Sequence, residues 1–142
     1  MPTITYWPGK ITPGVSDALV SQLDVYASLA RLAGVETGDG EATDSRDQLD
    51  VWLGASDTGR EYLLEESVGG LSLRYGSWKY IPPKEDPRTR TSTKGIEGGF
   101  AKVPQLYDLS ADSGEQYNLA GENPELVNTL QLQLDRIVGD TY

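Results

Sequence analysis

Alternating hydrophobic and polar positions predict a small antiparallel sheet in the second half of the chain. In residues 71–75 the Leu and Tyr side chains fall on one face and the Ser and Arg side chains on the other, because successive side chains of a strand point to opposite faces. A Gly-Ser pair separates this segment from the strand-like residues 78–81, a spacing typical of a tight hairpin. Residues 61–66 and 105–109 have a similar composition, so the pattern predicts four strands.

Apolar residues at three- and four-residue intervals predict a first amphipathic helix. Its stripe includes Leu23 and Tyr26, and side chains at this spacing share one face of a helix. Gly34 stands where helices commonly end in a left-handed residue. The residues Ser-Gln-Leu-Asp at positions 21–24 resemble a capping box. The predicted helix covers residues 22–33.

A second helix is predicted near the end of the chain. Asn123 and Pro124 are residue types preferred at the first positions of a helix. The apolar stripe that follows consists of Leu126, Val127, Leu130, Leu134, Ile137 and Val138.

These elements together predict an α+β fold. A four-stranded antiparallel sheet has one apolar face, which the C-terminal helix would cover. The sheet is preceded by the first helix and, before that helix, by residues 3–7, whose β-branched and aromatic side chains predict a short strand.

Composition excludes several kinds of catalytic site. The 142 residues contain no His and no Cys, so a Ser-His-Asp triad, a thiolate or imidazole zinc site and a disulfide are all impossible. Twelve Lys and Arg against twenty-two Asp and Glu give a net charge of −10, which opposes binding to nucleic acid or to an anionic membrane. No run of eighteen apolar residues and no signal-peptide pattern occur.

Several short motifs follow one another in the order in which type I sulfatases carry them. They extend over nearly the whole chain, and it is their order rather than any one motif that is specific. Three positions depart from the family pattern: Ala27-Ser28 stands where Pro-Thr is common, and Ser113 stands where Pro is common. The motifs are WPGKI at 7–11, SDALVSQLD at 16–24 leading to LAG at 32–34, LRYGSWKYI at 73–81, LYDL at 106–109, DSGE at 112–115 and NLA at 118–120.

The chain therefore resembles the C-terminal portion of a type I sulfatase. The resemblance implies that residues 1–60 are the end of the large, alkaline-phosphatase-like α/β domain and that residues 61–142 are the C-terminal subdomain. Enzymes of this family hydrolyse sulfate esters with a formylglycine, made from the Cys or Ser of a Cys/Ser-x-Pro-x-Arg motif, and with a calcium ion. This chain has no such motif, and no Ser is followed two residues later by Pro.

The resemblance thus implies no catalytic residue, no metal ligand and no cofactor in this chain. Calcium and formylglycine are expected in an upstream part, and the chain alone is expected to be inactive. The alternative is a free-standing carbohydrate-binding or interaction module that uses Tyr75, Trp78 and the loop 82–104.

The long polar connection at residues 82–104 contains the one basic cluster of interest. Connections of this length are usually either functional or mobile loops, and in sulfatases loops of this subdomain wall the substrate cleft. One hypothesis is that the cluster contacts an anionic substrate, since cationic side chains and especially Arg bind oxyanions. The other is a solvated loop whose cations balance Glu85 and Asp86. The cluster consists of Lys84, Arg88, Arg90 and Lys94.

Partners follow from the resemblance as well. A strand and a helix taken from a larger sheet would leave an unpaired strand edge and an uncovered apolar face. We therefore expect self-association through residues 3–7 or the Leu23, Tyr26 and Ala30 stripe, or association with the missing N-terminal sulfatase half. No nucleic acid or membrane partner is expected, and the sequence leaves the localisation open.

Overall fold

The computed structural model describes residues 3–38, 40–67, 70–84 and 98–141. By its own internal packing the chain divides into two compact units, residues 1–61 and 62–142. The first unit contains α1 (Asp24–Ala33) and the short α2 (Leu49–Trp52), and the second contains β1 (Tyr62–Ser67), β2 (Gly70–Tyr75), β3 (Trp78–Ile81), β4 (Gln105–Asp108) and α3 (Pro124–Thr141).

The second unit is built on one four-stranded sheet in the order β1-β2-β3-β4. Every neighbouring pair is antiparallel, and one register row joins Leu64, Leu73, Tyr80 and Leu106 across all four strands. Side chains in one row of a sheet point to the same face. The predicted four-stranded antiparallel sheet is thereby confirmed, with strand ends that differ from the prediction by at most one residue.

Helix α3 covers the apolar face of this sheet. Leu130 and Leu134 form a buried core cluster with Leu73, Tyr80 and Leu106, each no more than 5% exposed. Burial of apolar side chains at this density is the main favourable contribution to folding. The C-terminal helix and the mixed α+β class are therefore also confirmed.

The first unit differs from its prediction at the start. Residues 3–7 pair with no strand in the part of the chain that the structure describes, because an extended segment becomes a strand only when a neighbour accepts its backbone hydrogen bonds. Instead, Trp7 opens a turn in which its carbonyl accepts from the N–H groups of Lys10 and Ile11 at 3.1 and 3.0 Å. Gly9 lies in that turn at φ 72°, a conformation that glycine adopts without strain.

Helix α1 begins at Asp24, two residues later than predicted. One of the two hydrogen bonds of the predicted capping box is present: Asp24 Oδ2 accepts from the Ser21 N–H at 2.8 Å. Gly34 ends the helix in the left-handed conformation at φ 71°. Within the described residues no helix is long and apolar enough to cross a bilayer.

Candidate functional site

Of the four predicted basic residues, the structure describes only Lys84; Arg88, Arg90 and Lys94 lie outside the described residues. The Lys84 N–H donates to the Ala101 carbonyl at 3.0 Å, so the start and the end of the 82–104 connection lie side by side. Its ammonium lies against Gly70, with Nζ only 2.7 Å from the place that a Cβ on Gly70 would take.

The environment of Lys84 makes its charge costly. Partial burial lowers the pKa of the Lys84 ammonium below its ordinary value, because a cation taken out of water is destabilised. Among the described residues no carboxylate forms an ion pair with it. An anion bound beside Nζ would offset this cost. The predicted contact between the basic cluster and an anionic substrate would need such a site.

The aromatic residues of the alternative binding module have a structural position. Tyr75 and Trp78 are partly buried and pack against the core cluster of the second unit. They face each other in the β2–β3 register, where paired aromatic side chains stabilise a sheet. This packing leaves less of their surface for stacking on a sugar.

Lys79, on the opposite face of β3, joins two of the sequence motifs. Its Nζ lies 2.7 Å from Glu115 Oε1 and 3.4 Å from Glu65 Oε2, and the Lys79 side chain is 18% exposed. Burial alone would lower the pKa of Lys79, but the two carboxylates outweigh it and hold that pKa above its ordinary value. Glu115 itself adopts φ 53°, an uncommon conformation for a residue with a side chain. The Trp-Lys and Asp-Ser-Gly-Glu motifs therefore form one structural contact.

Two further motif residues hold the same region. Asp112 Oδ2 accepts from the N–H groups of Gln116 and Tyr117 at 2.7 and 2.8 Å. Asn118 Oδ1 accepts from the Leu106 N–H at 3.0 Å, and its Nδ2 donates to the Pro104 carbonyl at 3.1 Å. The Asn118 amide thus occupies backbone groups along the edge strand β4, where an unpaired edge would otherwise be open to other chains.

In the first unit, the most buried side chain is a carboxylate. Asp24 is 0% exposed and receives Arg60 Nε at 2.8 Å, the Arg60 Nη2 group, and the Arg46 N–H at 3.0 Å. Burial would raise the pKa of Asp24, but the hydrogen bonds from Arg60, Ser21 and Arg46 outweigh it and hold that pKa below its usual value. Sequence reasoning identified Asp24 as a cap but missed Arg60, which lies 36 residues away.

Close backbone contact accompanies this ion pair. The Arg60 N–H donates to the Leu19 carbonyl at 2.7 Å, and a Cβ on Gly59 would lie 2.2 Å from that same oxygen. Only glycine allows the two segments to approach so closely. The sequence signal for this close approach is a single Gly, and the chain has 16 glycines, so Gly59 cannot be distinguished from the others.

The described residues form no site for the calcium ion that the sulfatase resemblance implies, and the sequence lacks the formylglycine precursor motif. Within the described ranges, no group of three or more Asp, Glu, His or Cys is arranged to hold a metal ion. The sequence contains no Cys and no Ser in the formylglycine precursor motif. No catalytic step can therefore be derived through calcium or formylglycine from this chain.

Comparison with known proteins accounts for the motifs. An N-acetylgalactosamine-6-O-sulfatase of Bacteroides thetaiotaomicron is 40% identical over 138 residues, which cover 96% of this chain. The chain belongs to the sulfatase family. Human arylsulfatase A is 34% identical over 153 residues, covering 94% of the chain. No protein-family profile matches.

The fold agrees with this assignment. A solved sulfatase structure from a Bacteroides thetaiotaomicron locus for glycosaminoglycan metabolism superposes on 92% of the chain with a TM-score of 0.81 and 40% identity. The chain spans 27% and 29% of the length of the two sulfatase relatives and corresponds to their C-terminal portion. The recognition as the C-terminal portion of a sulfatase is confirmed.

Proposed function

We propose that this chain supplies the C-terminal part of an enzyme that hydrolyses sulfate esters, and that it completes the fold and walls the substrate cleft without taking part in the chemistry. The observation that carries the proposal is the 40% identity to a sulfatase over 96% of the chain. That relative is named for a sulfated amino sugar, and a sulfated sugar is the substrate class proposed for the whole enzyme. The complete family enzyme would carry calcium and formylglycine outside this chain.

The contacts within the second unit support a structural role. Lys79, Asp112 and Asn118 lie in motifs of the resemblance, and each is engaged in holding the turn at 110–118 or the edge of β4. Side chains whose hydrogen-bonding groups have internal partners of this kind position the segments that they join. Lys84 is the described residue of the predicted basic cluster, and its partly buried ammonium is suited to binding an anion.

Inactivity of the isolated chain can be tested directly. The purified chain is assayed with calcium on a chromogenic aryl sulfate and on N-acetylgalactosamine 6-sulfate, and no turnover above a buffer control is expected. Clear turnover would contradict the proposal. Saturable binding of the sulfated sugar by the isolated chain would favour the alternative, a free-standing carbohydrate-binding module.

The contribution of Lys84 needs a catalytically competent context. A suitable one is a chimera in which this chain replaces the matching C-terminal portion of the Bacteroides thetaiotaomicron relative. Lys84→Gln is expected to raise KM for the sulfated sugar about tenfold, the effect of losing one charge-assisted contact of about 1.4 kcal/mol. Lys102→Gln, at an exposed lysine of the same connection, is the matched control. Equal KM values for the two variants would show that Lys84 does not contact the substrate.

A further inference from the structure

The antiparallel register of the sheet brings Gly70 and Lys84 together. Leu73 pairs with Tyr80 across β2 and β3, so the residues that precede Leu73 lie beside those that follow Tyr80. Gly70 stands three positions before Leu73, and Lys84 stands four positions after Tyr80. The hairpin therefore makes neighbours of two residues that are separated by 14 positions in the chain.

Backbone contacts hold both residues in place. Gly70 pairs with Ser67 in the β1–β2 register, and the Gly70 carbonyl accepts a hydrogen bond from the Ser67 hydroxyl at 3.3 Å. The Lys84 N–H donates to the Ala101 carbonyl at 3.0 Å. Because each backbone is fixed by a neighbouring segment, the position of the ammonium depends on the lysine side chain and on the space available at Gly70.

That space exists because residue 70 has no side chain. Lys84 Nζ and Cε lie 2.7 and 3.8 Å from the place that a Cβ on Gly70 would take. A separation of 2.7 Å is well below the about 3.5 Å at which non-bonded heavy atoms attract one another. An alanine here would displace the end of the lysine side chain, which is flexible, rather than a backbone segment. Gly70 also has φ 107°, a conformation that glycine adopts readily.

The ammonium in this position is partly buried and still open to a ligand. Its burial lowers the pKa of Lys84, because the cation has lost part of its hydration. Gly70 itself is exposed, so the place where the ammonium lies is open to solvent. An ammonium that has already lost hydration gives up less of it when an anion binds.

We propose that Gly70 is a positioning residue for substrate binding, because the absence of a side chain there holds the Lys84 ammonium at the start of β2, where it receives an anionic group of the sulfated sugar. A sulfate group is a suitable ligand, since its oxygens accept charge-assisted hydrogen bonds from an ammonium. This inference rests on the proposed function, which supplies both the sugar and the contact with Lys84.

Gly76 offers a matched control. It lies between β2 and β3 at φ 57°, so an alanine at either glycine must adopt a positive φ, which is uncommon for a residue with a side chain. A Cβ on Gly76 would meet nothing within 4 Å. Gly70→Ala and Gly76→Ala therefore both strain a glycine of the sheet, but only Gly70→Ala displaces the ammonium.

The first measurement follows the Lys84 ammonium in the isolated chain. Its pKa is determined by NMR of isotope-labelled lysine side chains, and Lys84→Gln identifies the signal. We expect Gly70→Ala to raise the Lys84 pKa toward the ordinary lysine value of 10.5, since the displaced ammonium regains hydration, and Gly76→Ala to leave it unchanged. An unchanged pKa in Gly70→Ala would overturn the positioning role, as would an unfolded Gly70→Ala beside a folded Gly76→Ala.

The second measurement is made in the chimera with the Bacteroides thetaiotaomicron relative, with N-acetylgalactosamine 6-sulfate as the substrate. Gly70→Ala is expected to raise KM about three- to tenfold and to leave kcat unchanged, because only binding of the substrate is weakened. In the Lys84→Gln background, Gly70→Ala should have no further effect on KM. Gly76→Ala should change neither constant.

The outcomes separate this inference from the proposed function. A raised KM for Lys84→Gln with an unchanged KM for Gly70→Ala would overturn the positioning role and leave the Lys84 contact standing. Additive effects of the two substitutions would assign Gly70 to the fold alone and would overturn it as well. A raised Lys84 pKa in Gly70→Ala, with no effect of either substitution on KM, would instead contradict the substrate contact in the proposed function, while the dependence of the ammonium on Gly70 would stand.

Discussion

Asp24 shows how a single buried carboxylate can organise a segment that has little apolar core. The described buried residues of the first unit are Asp24, Ser28 and Leu49, so two of the three are polar. A charge in such a position is tolerated only when it is paired and hydrogen-bonded. Arg60, whose side chain is 7% exposed, supplies the counter-charge, and backbone N–H groups of Ser21 and Arg46 occupy the remaining acceptor sites.

Breaking this pair should destabilise the first unit strongly. Arg60→Ala leaves the Asp24 charge buried without its partner, which typically costs about 3–5 kcal/mol. The free energy of unfolding is measured by urea titration with circular dichroism. The matched control is Arg31→Ala, which removes a half-exposed arginine from its ion pairs with Asp47 and Asp50; little change is expected there. A similar loss for both variants would contradict a special role for burial.

The same pair predicts a dependence of stability on pH. The folded pKa of Asp24 is held below the unfolded value of 3.8, so its contribution is complete above that value. The contribution should decline as the pH falls below 3.8 and disappear as it passes the lower folded pKa. In Asp24→Asn this part of the acid dependence should be missing when unfolding is measured between about pH 5 and pH 2. An identical pH profile for variant and parent would refute the assignment.

Gly59 is the position where the backbone leaves no room for a side chain. In Gly59→Ala the new Cβ would lie 2.2 Å from the Leu19 carbonyl oxygen, so two backbone segments must separate and the Arg60–Leu19 hydrogen bond is strained. A loss of about 2–4 kcal/mol is expected. Gly14→Ala is the control in the same unit, because its Cβ would meet nothing closer than 4.0 Å. Equal unfolding free energies would contradict the close approach.

At the scale of elements, Lys79 ties the sheet to the turn at 110–118. Lys79→Met keeps most of the aliphatic stem but removes the ammonium that Glu115 and Glu65 share, at an expected cost of about 1–2 kcal/mol. Because the folded pKa of Lys79 is raised above 10.5, its contribution is present below that value and is lost as the pH rises through the folded pKa. Lys102→Met, at an exposed lysine, should be neutral in the same urea titration. A neutral Lys79→Met would mean that the turn holds without the ion pair.

The elements also show which features a sequence can and cannot predict. The strands of the sheet follow from local alternation around Leu73 and Tyr80, and the C-terminal helix follows from its own stripe, since both signals lie within a few residues of one another. Strand pairing, which the sequence predicts for residues 3–7 and the described part of the structure lacks there, and the orientation of α1 both depend on distant segments. No sequence feature near Asp24 indicates that Arg60, 36 residues later, pairs with the polar side of α1. The spacing of the apolar residues predicts the stripe of α1. The exposure of that stripe depends on contacts of Asp24 and Ser28 with residues 20 to 36 positions away.

The candidate site was predictable only in part for the same reason. The basic composition of the 82–104 connection identifies Lys84, but its desolvated position against Gly70 depends on β2 and on the pairing with Ala101. The Lys79–Glu115 contact joins residues 36 positions apart, so two motifs that look independent in the sequence are one feature in space. The order of the sequence motifs is what identifies the sulfatase family, although the contacts between the motifs cannot be seen in the sequence.

At the scale of the whole molecule, a net charge of −10 and the exposed apolar stripe of α1, formed by Val25, Leu29 and Leu32, act in opposite directions. Repulsion between copies extends about 30 Å at 0.01 M salt and about 3 Å at 1 M, whereas the attraction of apolar surface is not screened. The isolated chain is therefore expected to be monomeric in dilute salt and to self-associate weakly, in a concentration-dependent way, near 1 M. Light scattering across a salt series measures this, and Leu29→Asp should abolish the association while Leu132→Asp, at an exposed leucine of α3, preserves it. Association that weakens as salt is added would indicate a charge-driven interface elsewhere and would contradict a role for the stripe.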